Sequence, residues 1–360
     1  MHARLSINLS ALRANYRLLT SQLQSGACAA VVKANAYGLG VEAVSSALWQ
    51  EGCREFFVAT LEEAASLRGV LPEAVIAVFG GLHEGEEQDY QHHRLTPVLN
   101  TLEQCARYAQ SPAFLHIDTG MTRLGLSHHE LETLAGWQLA TGDWRLMSHL
   151  ACANDPAHPK NAEQLSRFRE ALKLFPNTKA SLANSAGIFL SSEYHFDLAR
   201  PGCALYGINP ADGKNPMHHV ATLSAPLLQI RTLDRAETVG YGATYSAPKG
   251  ARIAICALGY ADGLLRALSN PPLPCRKRDG VRVEMPHAYV AGQRVPIAGR
   301  VSMDMVALDV SALPEAVITP EAQAEFINAQ QTVSDIAGYA GTIGYEIFTR
   351  MGERVKRVYV

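Results

Sequence analysis

Eight short apolar runs recur between residues 28 and 200, and the stretches between most of them place hydrophobic residues at helical spacing. The runs are CAAVVK (28–33), EFFVAT (55–60), VIAVF (75–79), LTPVL (95–99), AFLHID (113–118), WRLMSHL (144–150), KASLAN (179–184) and FDLAR (196–200). Runs without polar alternation belong to strands covered on both faces, the condition of a parallel sheet. Eight of them alternating with helices over roughly 200 residues have the number and size of a TIM-like (β/α)8 barrel, an α/β fold. A doubly wound open sheet is the competing topology. It favours a glycine-rich fingerprint after an early strand, and YGLG at 37–40 is not one.

Ahead of these runs, Leu12, Tyr16, Leu19 and Leu23 recur at helical spacing with Ser10 available as a cap, so the chain is expected to open on an amphipathic helix. Past residue 220 the texture changes: LLQIRTL, ARIAICALG, HAYVAGQRVPIAG and SMDMVALDV are strand-like and punctuated by Gly and Pro. The expected layout is a barrel over 1–222 followed by a mainly β domain over 223–360. The one helix expected in the second part is TVSDIAGYAGT (332–342), with Thr332 as cap and Asp335 three residues on.

With 18% charged residues and a formal net charge of -2, the chain has no global attraction for nucleic acid or anionic membranes. The dense basic cluster CRKR (275–278) reads as a solvated loop. Seven scattered cysteines without a CxxC pair suggest neither a disulfide framework nor a zinc site, so no metal is expected and reduced thiols in a cytoplasmic protein fit best. The first residues lack an uninterrupted apolar segment, and no stretch approaches 18 apolar residues, so neither secretion nor a membrane span is expected.

Most lysines only keep a surface wet. Lys33 instead ends a buried apolar strand, at the carboxyl end where parallel barrels bind ligands, which makes it a candidate for a lowered pKa and imine chemistry. Other strand ends deliver Tyr37, Arg123, His149, Asn184 with Ser185, and Arg200 followed by Pro201 and Gly202 to the same rim. That set suits pyridoxal 5'-phosphate: a lysine for the imine, a serine and N–H groups near glycine for the phosphate, and an arginine or carboxylate for the pyridine nitrogen. No GxxxxGK[ST] loop points to a nucleotide instead.

Nine blocks, VVKANAYGLG, HIDTGMTRLG, MSHLACAN, ANSAG, LARPGCALYG, VGYGATYSA, LGYADGLLR, GRVSMDM and GTIGYEIFTR, together resemble the bacterial alanine racemases, in order and over essentially the whole chain. The resemblance implies a racemase dependent on pyridoxal phosphate that interconverts L- and D-alanine, either supplying D-alanine for peptidoglycan or degrading it. It also implies a head-to-tail homodimer in which the β domain completes the partner's site. Lys33 would hold the cofactor and act as one base, and Tyr241 from the other subunit would be the opposite base. His149 and Arg200 would relay from that tyrosine, Arg200 also facing the pyridine nitrogen. Tyr37, Ser185, Gly202, Cys203 and Tyr345 match positions around the phosphate. Arg123 and Met303 match positions at the substrate carboxylate, and Tyr260, Arg266 and Arg300 the mouth of the substrate channel.

Two positions depart from the family pattern. His116 stands where many members have a lysine, often carbamylated, seven residues before the arginine, and Asn154 stands where an aspartate is common near the mouth. Neither touches the two bases. The rival readings are a non-catalytic cofactor carrier, an amino-acid decarboxylase on the same plan, and a racemase of another small amino acid such as serine. Arg200 in place of a carboxylate argues against the decarboxylase, and the residues beyond the barrel argue against the carrier.

Overall fold

The structure, a computed structural model, describes residues 2–108, 112–137, 144–211, 213–269, 286–319 and 321–360. The basic cluster 275–278 lies outside the described residues. The chain divides into two compact units, Leu9–His218 and Met1–Asn8 with His219–Val360.

In the first unit the parallel strands Ala30–Val31, Glu55–Val58, Val75–Val78, Thr96–Leu99, Ala113–His116, Trp144–Met147 and Lys179–Ser181 pair in chain order. The ring closes through the eighth run, because Leu198–Ala199 lies parallel to Ala27–Cys28. On that side Ala29 N–H donates to Ala199 O and Val31 N–H to Pro201 O, both at 2.9 Å. On the other side Asp197 N–H reaches Ala180 O at 3.0 Å and Arg200 N–H reaches Ala183 O at 2.8 Å. A doubly wound sheet would leave two unpaired edges where this one joins itself. Alternate residues of the strands point inward. Ala29, Val31, Phe57, Ala77, Val98, Phe114, Met147 and Leu198 accordingly form one buried cluster, with Tyr37 and Phe79 packed against it.

The first helix, Leu9–Gln22, buries Leu12, Tyr16 and Leu19 as their spacing predicts. It begins one residue before Ser10, which therefore lies in the first turn rather than capping it. A strand, Arg4–Ile7, precedes it, pairing antiparallel with Ala221–Thr232 and parallel with Lys356–Tyr359. This pairing is why the barrel unit spans 9–218 where the sequence suggested 1–222: the first strand belongs to the other unit's sheet.

That second unit is built around the twelve-residue strand Ala221–Thr232. Irregularities at Leu223/Ser224 and Leu227/Gln229 let its first half pair with Arg4–Ile7 and Gln323–Ile327 and its second half with Arg252–Cys256. Arg252–Cys256 continues to Val306–Asp309, and Gln323–Ile327 to His287–Val290 and Gln293–Pro296. The expected helix is present as Val333–Ala340, entered through a capping box of Thr332 and Asp335. A second helix, Gly344–Thr349, follows it and was not anticipated. The six described cysteines are all free thiols, and among the described residues no helix is long and apolar enough to cross a membrane.

Candidate active site

Lys33 follows the first barrel strand directly, and the backbone then turns the unusual way. Ala34, Asn35, Ala36 and Tyr37 have φ of 52, 54, 53 and 56°, one turn of left-handed helix made without glycine. Each such residue costs about 1–2 kcal/mol against the right-handed form, so something must hold the turn. Glu63 does so: Oε1 accepts from Ala34 N–H at 2.7 Å, while Oε2 accepts at 2.8 Å from Ala59 N–H, just past the second strand. Asn35 Oδ1 adds a bond from Val41 N–H at 2.7 Å. The lysine Nζ is thereby left 5.6 Å from the centre of the Phe79 ring. Burial pushes its pKa below the usual lysine range, the Arg123 charge adds to the shift, and Glu63 opposes it.

Phe79 stacks on Phe57 at 5.1 Å, and the Arg200 guanidinium lies 6.0 Å from the Phe57 ring, so the two rings link the lysine to the arginine. Arg200 is 2% exposed and has no carboxylate partner among the described residues. Nη1 donates to Ser181 Oγ, Nη2 donates to Ser148 O, and Nε is buried without a partner. Burial alone lowers its pKa to about 9, still well above neutrality, so the group keeps its charge. A directed chain of hydrogen bonds holds this neighbourhood. Gln164 Nε2 donates to Thr119 Oγ1 at 3.1 Å and to His149 O at 2.8 Å. Ser148 donates its hydroxyl to Ile117 O, so the 2.8 Å contact between Thr119 and Ser148 has threonine as donor. Burial, followed by the Arg200 and Arg123 charges, pushes the His149 pKa well below the usual value and keeps the imidazole neutral.

The end of the barrel near Ser185 is shaped for an anion. Ser185 Oγ accepts from Gly202 N–H at 2.9 Å and Ala204 N–H at 3.2 Å, which leaves its own proton to give. The short helical turn Cys203–Tyr206 starts there, and the Cys203 N–H at its head has no acceptor within the turn. Burial raises the pKa of the Cys203 thiol, which keeps it protonated. A Cβ on residue 202 would lie 2.4 Å from the Tyr37 hydroxyl, so glycine is required for this close approach. Gly202→Ala is expected to cost about 1–3 kcal/mol of stability through overpacking. Urea denaturation checks this, and an unchanged midpoint would mean that Tyr37 moves aside freely.

His116 ends the fifth strand, 7% exposed, with Nδ1 at 2.7 Å from Asn100 Oδ1. Burial, then the Arg200 and Arg123 charges, lower its pKa to about 4. Arg123 is exposed on the following loop, whose shape is set by Asp118 Oδ1 accepting from the N–H groups of Gly120, Met121 and Thr122. Asn154 is also exposed.

The remaining sequence candidates belong to the second unit, where the loop at 299–305 gathers most of them. Tyr241 is 70% exposed on a turn between Glu237–Val239 and Tyr245–Ala247, and the Arg300 guanidinium lies against the neighbouring Gly242, 3.2 Å from where a Cβ would be. Tyr260 N–H donates to Ser302 O at 3.0 Å and Ala261 N–H to Met303 O at 2.9 Å, which sets Tyr260 beside Met303, itself 54% exposed. Arg266 is tied to the same loop through Ser269, which donates to Arg266 O and accepts from Val301 N–H. Tyr345 is exposed on the helix Gly344–Thr349, whose end packs against the turn at Gly263.

Sequence reasoning missed Glu63, Asn100, Ser148, Gln164 and Ser181. Only Glu63 had a signal, since Thr60-x-x-Glu63 matches a capping box. Thr60 does cap the helix Leu61–Val70, but the carboxylate is used on Ala34 and Ala59 instead.

The alanine racemase N-terminal domain family matches residues 7–210, and the alanine racemase C-terminal domain family matches residues 220–359. An alanine racemase, catabolic, of Agrobacterium fabrum is 46% identical over 369 residues, spanning 99% of this chain and 92% of that protein. An alanine racemase of Rhodospirillum rubrum is 43% identical over 371 residues, spanning 99% of this chain and 96% of that protein. Among solved structures, the alanine racemase of Bartonella henselae with covalently bound pyridoxal phosphate superposes with a TM-score of 0.90 at 36% identity, covering 100% of both chains. The biosynthetic alanine racemase of Pseudomonas aeruginosa gives 0.89 at 33% identity, covering 100% of this chain and 99% of that one. With both units matched along nearly their full length and the polar groups of the barrel rim converging as described, this chain belongs to the alanine racemase family.

Proposed function

We propose that this protein is an isomerase that interconverts L- and D-alanine with pyridoxal phosphate carried on Lys33, working in the cytoplasm as a homodimer whose sites lie at the subunit interface. The observation that carries this reading is the donor set of the barrel rim. Arg200 has one buried N–H, on Nε, without a partner, which suits a ring nitrogen that only accepts. The Ser185 hydroxyl, the Cys203 N–H and the Tyr37 hydroxyl beside Gly202 suit a phosphate. When bound, pyridoxal phosphate supplies a conjugated ring that spreads the electron pair left when the substrate Cα loses its proton.

Inversion at Cα requires one base on each face. Lys33 Nζ is suited to one face, because a pKa lowered by burial leaves more of it able to accept a proton near neutrality. The partner subunit's Tyr241 takes the other face. A tyrosine is a poor base unless its hydroxyl is polarised, and the neutral His149 imidazole is suited to accept a hydrogen bond from it, while burial and the Arg200 charge keep a full proton off the ring. Arg123 receives the substrate carboxylate together with the backbone of the partner subunit's Met303, Tyr345 joins the phosphate group, and Tyr260, Arg266 and Arg300 line the mouth. Exposure of Tyr241, Tyr260, Met303 and Tyr345 supports the dimer, since large apolar groups clustered at a surface mark an interface.

Chiral chromatography of the cofactor-loaded protein, incubated separately with L-alanine, L-serine and a panel of other L-amino acids, tests the reading. D-alanine is the expected dominant product. No D-product from any of them, with cofactor binding confirmed, would overturn it.

A further inference from the structure

Asp304 sets a carboxylate beside the backbone that the proposed function gives to the substrate carboxylate, and the fold answers it with an arginine 50 residues further along the chain. Ser302 N–H donates to Met305 O at 2.9 Å, so Met303 and Asp304 form the two-residue tip of the loop at 299–305. The Met303 N–H has no acceptor among the described residues. Gly259 packs on this tip, where a Cβ would lie 2.2 Å from Met303 O. The turn that follows is closed by Asp262, which is buried and whose Oδ2 accepts from Gly259 N–H at 2.8 Å. Arg354 reaches both loops at once: Nε donates to Asp262 Oδ1 and Nη1 to Asp304 Oδ1, each at 2.8 Å. Gly352 N–H donates to Asp262 O at 3.0 Å and holds the segment that carries the arginine against the same turn.

A carboxylate approaching the Met303 N–H meets the charge of Asp304 one residue away, and like charges repel more strongly where water is excluded. A planar guanidinium can hold two carboxylates in fixed directions, which an ammonium cannot. We propose that Arg354 is a positioning residue for carboxylate recognition: braced on the buried Asp262, it takes up the Asp304 carboxylate and leaves the Met303 N–H as the group a substrate carboxylate meets at the loop tip. The inference rests on the racemase reading, which gives this N–H to the substrate in the partner's site. The Arg354–Asp304 pair is half exposed, and such pairs add little to stability, so its effect falls on binding rather than on the fold.

Steady-state kinetics of the full-length holoenzyme test this. Arg354→Met should raise KM for L-alanine about tenfold, the order of one charge contact near a protein surface, with kcat changed by less than about twofold. In an Asp304→Asn background the same substitution should move KM by less than about twofold, because the charge that Arg354 answers is gone. A role confined to bracing the turn through Asp262 would give the same loss in both backgrounds. If the methionine variant does not fold, Arg354→Lys, which keeps a pair with one carboxylate, should show a rise of about threefold that is again absent with Asp304→Asn. An unchanged KM, a loss that persists with Asp304→Asn, or a fall in kcat with KM unmoved would each overturn the proposal. Acetate, a minimal carboxylate followed by calorimetry, separates this proposal from the reading it rests on. If acetate binding depends on Arg354 and Asp304 in the same way but no D-alanine forms, the racemase reading fails and the positioning role stands; if D-alanine forms without that dependence, the positioning role fails alone.

Discussion

Tyr241→Phe is expected to lower racemisation in both directions by about 10²–10⁴-fold, the range that a positioned general acid or base contributes, while the absorbance of the bound cofactor is unchanged. The substitution removes one oxygen from a side chain that is 70% exposed in the isolated chain, so it disturbs no packed core. The informative readout is isotope exchange at Cα. With only Lys33 remaining, the variant should still exchange the Cα deuterium of one alanine enantiomer with solvent, because one face keeps its base, and should leave the other untouched. Exchange of both enantiomers at the original rate would show that Tyr241 is not the second base.

Lys33→Ala is expected to have a larger effect, because one side chain serves as both covalent anchor and base. Racemisation should fall by more than the roughly 10²–10⁴-fold attributable to base catalysis alone, and the cofactor, which borohydride reduction fixes permanently to the unaltered protein, should separate from the variant on gel filtration after the same treatment and denaturation. Stability should not suffer. The lysine is partly buried near Arg123, and losing a cation that its neighbour disfavours removes an electrostatic cost. A thermal midpoint unchanged or slightly raised, together with loss of attached cofactor, is the expected combination. Cofactor that stays attached through denaturation would place the covalent link on another lysine.

The eight barrel strands were legible because strands covered on both faces read as unbroken apolar runs, and each expected run contains an observed strand or its closure pairing. Lys33, His149 and Arg200 were legible for a related reason: polar residues at the ends of such runs have few places to go except the rim. Arg4–Ile7 was not legible. It is four residues long and its partners lie at 221–224 and 356–359, far along the chain, so no local pattern announces it. The second unit's exposed aromatics were legible only through the family blocks, since a single tyrosine or methionine in a β-rich stretch is ordinary sheet surface. Ser148, Ser181 and Gln164 act through hydrogen bonds between separate strands and helices, and nothing in their neighbours' sequence encodes those pairings. The turn at 34–37 was concealed most thoroughly: Ala-Asn-Ala-Tyr reads as ordinary right-handed helix or loop, and the tie from Glu63 that holds it lies 29 residues along the chain from Ala34.

That turn also decides how the lysine is held. A glycine-rich loop would pass smoothly between left- and right-handed backbone, letting Lys33 drift through a continuum of positions. Residues with a Cβ are sterically barred from the φ values near zero that separate the two regions, so Ala34 to Tyr37 either lie in the left-handed well or have left it altogether. The bond from Ala34 N–H to Glu63 therefore ties the residue that follows Lys33 to the second strand's end, with the backbone of 34–37 in the left-handed well.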